Sequence, residues 1–458
     1  MNALYEEESE PPLDRLAERL RTVCESAVGP LEIASALEFD GVSDRAARAG
    51  YRTPDVFALA QLLYARVPRK PAAPATQPDP WQARWPLVRG MLYALPAACF
   101  PAAGALLVGP GVLPTLVIAL LSSWGLSQGL ATVGYVRLGM SGPGQARRVL
   151  RSGLAGCLVA VALIMTATTL IVHARPAVFA FGVGEGAYML GACVLLVTGG
   201  ERWLAVALAP GVVGAALFLL LGKPAALAEQ TWAALAATPL IACVIAVVVT
   251  RAAGPRGGRL PSRDELLGAL PAVALGVIAA GLLTFPLVAG VSGHGGVNVG
   301  ALIASVPLAL SMGAAEWSLI WYRRAVRRLL WQTDDPRWFH GRATALLLFT
   351  LAQYAAAMLA AISVALGVAV AVAHVPFDLT VLLPAGGYLL LGAAMFLVLL
   401  LQTMRVRLVP LTLAAAALCA EIMLRHHGLV VQLAAPAALL ATVGAHASVR
   451  LGEAVLHV

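Results

Sequence analysis

The chain has 458 residues, of which 60% are hydrophobic and only 12% charged, with mean hydropathy +0.82 and a formal net charge of +8. An average soluble domain carries about 25% charged residues, so the composition excludes an ordinary soluble globule and indicates a polytopic membrane protein. Residues 1–80 hold 13 of the 24 acids and 9 of the 32 bases, so the remainder carries 23 bases against 11 acids. That excess fits loops facing an anionic leaflet rather than a nucleic-acid surface.

The first ten residues are acidic and carry neither a basic region nor an apolar run, so no signal peptide is expected and the N-terminus is placed inside. Residues 1–67 are expected to hold a small helical cytosolic domain. Leu13, Leu16, Leu20 and Val23 recur at helical spacing, and Thr53-Pro54-Asp55 reads as a helix start with Thr as the cap. Val56, Phe57, Leu59, Leu62, Leu63 and Val67 then supply an apolar stripe. A core of this size is small, which points to a protein or membrane partner for the unit. Residues 68–85 follow as a Pro/Ala-rich linker that ends in the interfacial anchors Trp81 and Trp85.

A membrane span needs about 20 apolar residues, and the rest of the chain accommodates about twelve. Their centres are placed at Cys99, Trp124, Val161, Leu190, Val212, Ile241, Ile278, Leu308, Met358, Leu391, Ala416 and Leu440. Every second connection is rich in arginine: Arg147, Arg148 and Arg151; Arg251, Arg256, Arg259 and Arg263; Arg323, Arg324, Arg327 and Arg328; Arg405 and Arg407. The positive-inside rule puts these in the cytosol. Residues 109–112, 292–296 and 373–376 carry no Lys or Arg and are placed outside, while Arg175, Lys223 and Arg425 put one base on each of three further outer connections. Both termini are then cytosolic. Only Glu201 and Arg202 separate the fourth and fifth spans, which leaves a re-entrant break open there.

The two halves, 86–250 and 266–458, look related across the basic connection 251–265. Leu95-Pro96-Ala97 in the first span matches Leu270-Pro271-Ala272 in the seventh. In the second span Ser123-Trp124-Gly125 leads to Gln128, Tyr135 and Arg137; in the eighth, Ser311-Met312-Gly313 leads to Glu316, Tyr322 and Arg324. Six spans per half make these parallel repeats. The expected class is therefore all-α, with about twelve transmembrane helices in two pseudo-symmetric six-helix halves plus the N-terminal helical domain.

Ionisable groups within spans are costly unless paired or functional, so they are the first site candidates. Glu316 leads, two turns before Arg323 and Arg324, as a gate or proton site or as a structural partner of those arginines. Glu185 lies in the glycine-rich stretch 182–186, either at depth or at the interface. Glu421 and Arg425 stand at i, i+4, the spacing of a local ion pair, with Arg425 also suited to a phosphate on the outer side. Gln128, Gln353, Tyr354 and His446 are polar at plausible depth, as cavity lining or as interhelical hydrogen-bonding groups.

Six scattered cysteines show no metal spacing, and no metal or cofactor is expected. The glycine-rich 292–296 lacks the Lys-Ser/Thr of a phosphate loop, Asp334-Asp335 has no second acidic cluster, and no catalytic triad is legible, so nothing supports an enzyme.

Twelve spans in two halves, prolines in the first, seventh and tenth, polar residues in the second and eighth, and basic cytosolic ends resemble the multidrug, oligosaccharidyl-lipid and polysaccharide exporter superfamily. The likeness covers about residues 85–458 and is nearest to its polysaccharide-flippase branch, through 123–137 and 311–324. It implies two bundles around a central cavity and alternating access. Departing from that pattern, the arginines here all lie near span ends, and the acidic N-terminal extension is additional. The function expected is export of a glycan, lipid-linked saccharide or amphiphile across a bacterial inner membrane. Arg323 and Arg324 would be the inner anion contacts. The alternatives are a membrane scaffold that recruits cytosolic partners of envelope synthesis through residues 1–67, and a multidrug/proton antiporter.

Overall fold

The computed structural model describes residues 12–27, 29–68, 90–93, 95–107, 111–251, 261–294, 299–331, 336–404 and 406–452. The linker after residue 68, Trp81, Trp85, Arg256, Arg259, Gly295, Asp334, Asp335 and Arg405 lie outside the described residues. The chain divides into two compact units, Met1–Gln82 and Ala83–Val458.

Among the described residues the first unit holds five short helices: α1 (Pro12–Arg19), α2 (Arg21–Ser26), α3 (Pro30–Phe39), α4 (Asp44–Tyr51) and α5 (Val56–Arg66). Leu16, Leu20, Cys24, Ile33, Leu37, Leu59 and Leu63 form its buried core. The cap of α5 is Asp55, whose carboxylate accepts the Ala58 N–H at 2.7 Å, and not Thr53. Thr53 is drawn inward instead, its hydroxyl donating to Ala47 O. Phe57 and Leu62 of the expected stripe stay exposed, because α5 meets α3 on the face of Val56, Leu59 and Leu63.

All twelve expected centres fall on helices of the second unit. The first span holds a 3₁₀ turn, Leu95–Ala98, followed by α6 (Cys99–Leu106). Pro96 sits in that turn, where its missing N–H interrupts the α-helical ladder. Then come α7 (Val112–Met140), α8 (Gly142–Val172), α9 (Pro176–Val197), α10 (Glu201–Leu220) and α11 (Ala228–Arg251). The second half holds α12 (Arg263–His294), α13 (Val299–Trp331), α14 (Pro336–Ala373), α15 (Leu379–Thr403), α16 (Leu408–Met423) and α17 (Leu429–Arg450). Ten of these are long and apolar enough to cross a membrane; α16 has 16 residues and α6 has 8. Gly142, at φ 79°, allows the break between α7 and α8, and Pro143 opens α8. The doubtful fourth and fifth spans are two full helices. They are joined by a turn in which Gly199 takes φ 73° and Gly200 N–H returns to Leu195 O at 2.7 Å.

Each half has its own core and the same internal plan. Helices α9 and α15, the fourth and tenth spans, have 56% and 67% of their apolar stretch buried, against 17–39% for the other eight long spans. They are the inner helices of their halves, with apolar residues spread around most of the helix because most of it meets protein. The least buried are α8 and α14, the third and ninth spans. Packing pairs recur as well: α9 on α11 matches α15 on α17, α10 on α11 matches α16 on α17, and α6 on α10 matches α12 on α16.

Candidate functional site at the junction of the halves

Helices α7 and α12 carry the principal packing between the halves among the described residues. The sequence builds this seam from two four-residue ladders that run antiparallel. On α7 stand Gly125, Gly129, Val133 and Arg137; on α12 stand Glu265, Ala269, Val273 and Val277. A four-residue step keeps one face of a helix. A Cβ on Gly125 would meet Val277 Cγ2 at 2.6 Å, and one on Gly129 would meet Val273 Cγ2 at 2.6 Å. From the other side, a Cβ on Gly276 would lie 3.0 Å from Gly125 Cα and from Gln128 Cγ. Val133 and Ala269 are buried together one turn further. At the arginine-rich edge the ladder ends in an ion pair, Arg137 Nη2 to Glu265 Oε2 at 2.7 Å, with side-chain exposures of 13% and 22%.

The repeated Ser-x-Gly motif acquires a physical meaning here. Gly125 of the first copy receives α12, and a Cβ on Gly90, in the first span, would fall on the backbone of Gly313, the glycine of the second copy. In both copies the glycine admits a close approach by a helix of the other half. The serines of the motif are buried, and Ser311 Oγ lies 2.8 Å from Tyr354 OH.

The remaining candidates do not converge on one constellation. Gln128 is exposed at the edge of the seam, and Glu316 is half-buried one turn beyond Gly313. Arg323 and Arg324 are exposed about two turns before the end of α13. Tyr354 is buried in the second half, stacked on Phe396 with ring centroids 5.0 Å apart, and serves packing there. Gln353 Oε1 and His446 Nε2 are buried without hydrogen-bond partners among the described residues.

Glu185 lies inside the first half. The helix runs unbroken through Gly182, Gly184 and Gly186, so these glycines serve close packing rather than unwinding. A Cβ at Gly182 would touch Met165 Sδ at 2.9 Å, and one at Gly186 would touch Val161 at 2.5 Å. Glu185 shares its helix face with Phe181, which contacts Phe100 and Trp232 at 6.4 Å each. Both carboxylate oxygens are buried and have no hydrogen-bond partner among the described residues.

Glu421 has the same character in the second half, at 0% exposure with both oxygens unpartnered among the described residues. The expected Glu421–Arg425 ion pair does not form. Helix α16 ends at Met423, so Arg425 falls in a 3₁₀ turn, is exposed, and donates through Nε to His426 Nε2 at 3.4 Å.

Sequence reasoning missed Glu265 and the seam. The signal was present as two small-residue ladders of four-residue spacing, each ending in a charge of opposite sign.

The class defined by this fold is a two-halved polytopic membrane protein with parallel repeats. No protein-family model matches the chain, and no curated protein matches it. Among solved structures it is similar to a crystal structure of a MATE point mutant, with TM-score 0.52, 15% identity, 82% of this chain and 97% of that chain covered. It is similar too to MATE in the bent conformation, with TM-score 0.50, 14% identity and 81% and 94% covered. The chain thus has the fold seen in these MATE crystal structures.

Proposed function

We propose that this chain is a membrane transporter that moves an amphiphilic cargo outward by alternating access of its two halves. The observation that supports this most is the seam itself. Two six-helix cores, in a MATE-like arrangement, meet along a seam of small residues, where Gly125 and Gly129 of α7 receive Val277 and Val273 of α12. The cargo favoured is a glycan or lipid-linked saccharide, with Arg323 and Arg324 receiving its anionic group inside and Arg425 outside. Arginine suits phosphate through bidentate contacts. Glu316 on α13, one turn beyond Gly313, and Glu185 within the first half are the gate or proton-coupling groups. The arginine-rich edge is then cytosolic, in a bacterial inner membrane, and the N-terminal helical unit serves a cytosolic or membrane partner.

A multidrug/proton antiporter is the second proposal, favoured by the buried, unpartnered Glu185 carboxyl. A scaffold without transport would not need the buried Glu185 carboxyl. Purified full-length chain in proteoliposomes discriminates among them. Transfer of a fluorescent lipid-linked saccharide supports the first, and pH-gradient-driven movement of a cationic dye supports the second. Movement of neither probe defeats the transporter proposal. Replacing Glu316→Gln should abolish transport in a folded protein, and undiminished transport would remove Glu316 from the mechanism.

A further inference from the structure

We infer that Arg137 and Glu265 form a reversible latch that holds the arginine-rich mouth between the two halves shut, with the glycine ladder above them as the sliding surface that parts when it opens. This rests on the transporter proposal above and assigns its gate on that side.

Three features of the pair suit a latch better than a permanent brace. First, the acceptor is held in place independently of the arginine. Glu265 and Ser262 cap the start of α12 reciprocally, Ser262 N–H donating to Glu265 Oε2 at 2.8 Å and Glu265 N–H to Ser262 Oγ at 3.3 Å. The carboxylate therefore keeps its position on α12 when α7 leaves, and Arg137 returns to a preformed site.

Second, the pair sits at the edge, where both groups can be rehydrated on parting. Exposures of 13% and 22% leave it sheltered enough to attract and shallow enough to release. A fully buried pair would leave uncompensated charge on opening, whereas a solvent-exposed one would scarcely hold.

Third, the surface above the pair offers little mechanical resistance. Gly276 places backbone against backbone, and Gly125 and Gly129 receive only the methyl tips of Val277 and Val273, so separation withdraws two short, apolar side chains and breaks no interhelical hydrogen bond named along the ladder above the ion pair. The latch also joins the halves directly, its partners being 128 residues apart in the chain.

The test is the rate at which a membrane-impermeant thiol reagent, applied from the arginine-rich side, modifies a cysteine at buried Val133. It is read at that residue by mass spectrometry in vesicles of known sidedness. Arg137→Gln and Glu265→Gln should each raise the rate about tenfold. The double variant should be no faster than either single one, because the same interaction is lost once. Ser262→Ala, which keeps the backbone N–H that holds the Glu265 carboxylate and loses only the bond from Glu265 N–H to Ser262 Oγ, should stay within twofold of the parent. A cysteine at exposed Arg327 controls for general access and should react equally in all.

Arg137→Gln leaves the α12 cap intact, so it decides the matter if Glu265→Gln fails to fold. A rate within twofold of the parent in Arg137→Gln, or single effects that multiply in the double variant, overturn the latch. Transport by the parent chain is measured separately. A responsive seam without transport defeats the transporter proposal and keeps the latch, while transport with an unresponsive seam defeats the latch alone.

Discussion

Ser311 Oγ and Tyr354 OH share a hydrogen bond of 2.8 Å between α13 and α14, with the tyrosine ring stacked on Phe396. Tyr354→Phe keeps the stacking and removes the bond. Interhelical hydrogen bonds inside membranes are worth about 0.6 kcal/mol on average, so thermal unfolding in detergent should fall by a degree or two with transport retained. Loss of transport at normal stability would instead place the hydroxyl in the cargo path.

The glycine seam should be intolerant of bulk. In Gly276→Val the new Cβ meets Gly125 Cα at 3.0 Å and Trp124 O at 3.1 Å, both backbone atoms that cannot rotate away. Overpacking of this kind costs about 1–3 kcal/mol. Gly268→Val on the same helix, where a Cβ meets nothing within 4 Å, is the matched control and should melt close to the parent.

Helices α10 and α11 are tied by a side chain that completes a backbone. Thr238 Oγ1 accepts the Gly211 N–H at 3.0 Å, directly after Pro210. Thr238→Val leaves that N–H without the acceptor and should destabilise by about 1–2 kcal/mol, the range for a polar group stranded in such a setting. Thr238→Ser should recover most of it, which separates the hydrogen bond from the loss of volume.

The two buried carboxyls make different predictions under the proposed mechanism. Glu185→Gln, with Phe181, Phe100 and Trp232 around its helix face, is expected to leave a folded protein that no longer couples transport to a pH gradient. Glu421→Gln is expected to be near neutral for transport. Gradient-driven uptake by both variants, compared at equal expression, checks this, and an active Glu185→Gln would remove that residue from coupling.

Sidedness follows from the arginine pattern and can be measured directly. Cysteines replacing Lys223 and Arg337, both exposed, should be modified from outside and inside respectively. The opposite result would invert the proposed topology.

Much of this molecule was legible in one dimension. Apolar length located all twelve span centres on helices, ten of them long enough to cross by themselves, because a bilayer demands about 20 apolar residues per crossing whatever the neighbours are. The Ser-x-Gly copies announced the two halves. Local capping was less legible: Thr53 and Asp55 both make good caps, and only the pull of Ala47 O on the Thr53 hydroxyl settled which one serves.

What the sequence could not determine was which small residues face one another. Alanine, glycine and valine abound in every span, so hydropathy carries no information about partner choice, and helix periodicity is weak where all faces are apolar. Tertiary structure selected Gly125, Gly129 and Gly276 as the places where the halves touch. It kept Glu421 and Arg425 apart by ending a helix between them, and brought Arg137 to Glu265 across the join. Charge and length act along the chain and can be read from it. Close packing depends on two surfaces meeting, and only the folded protein supplies the second.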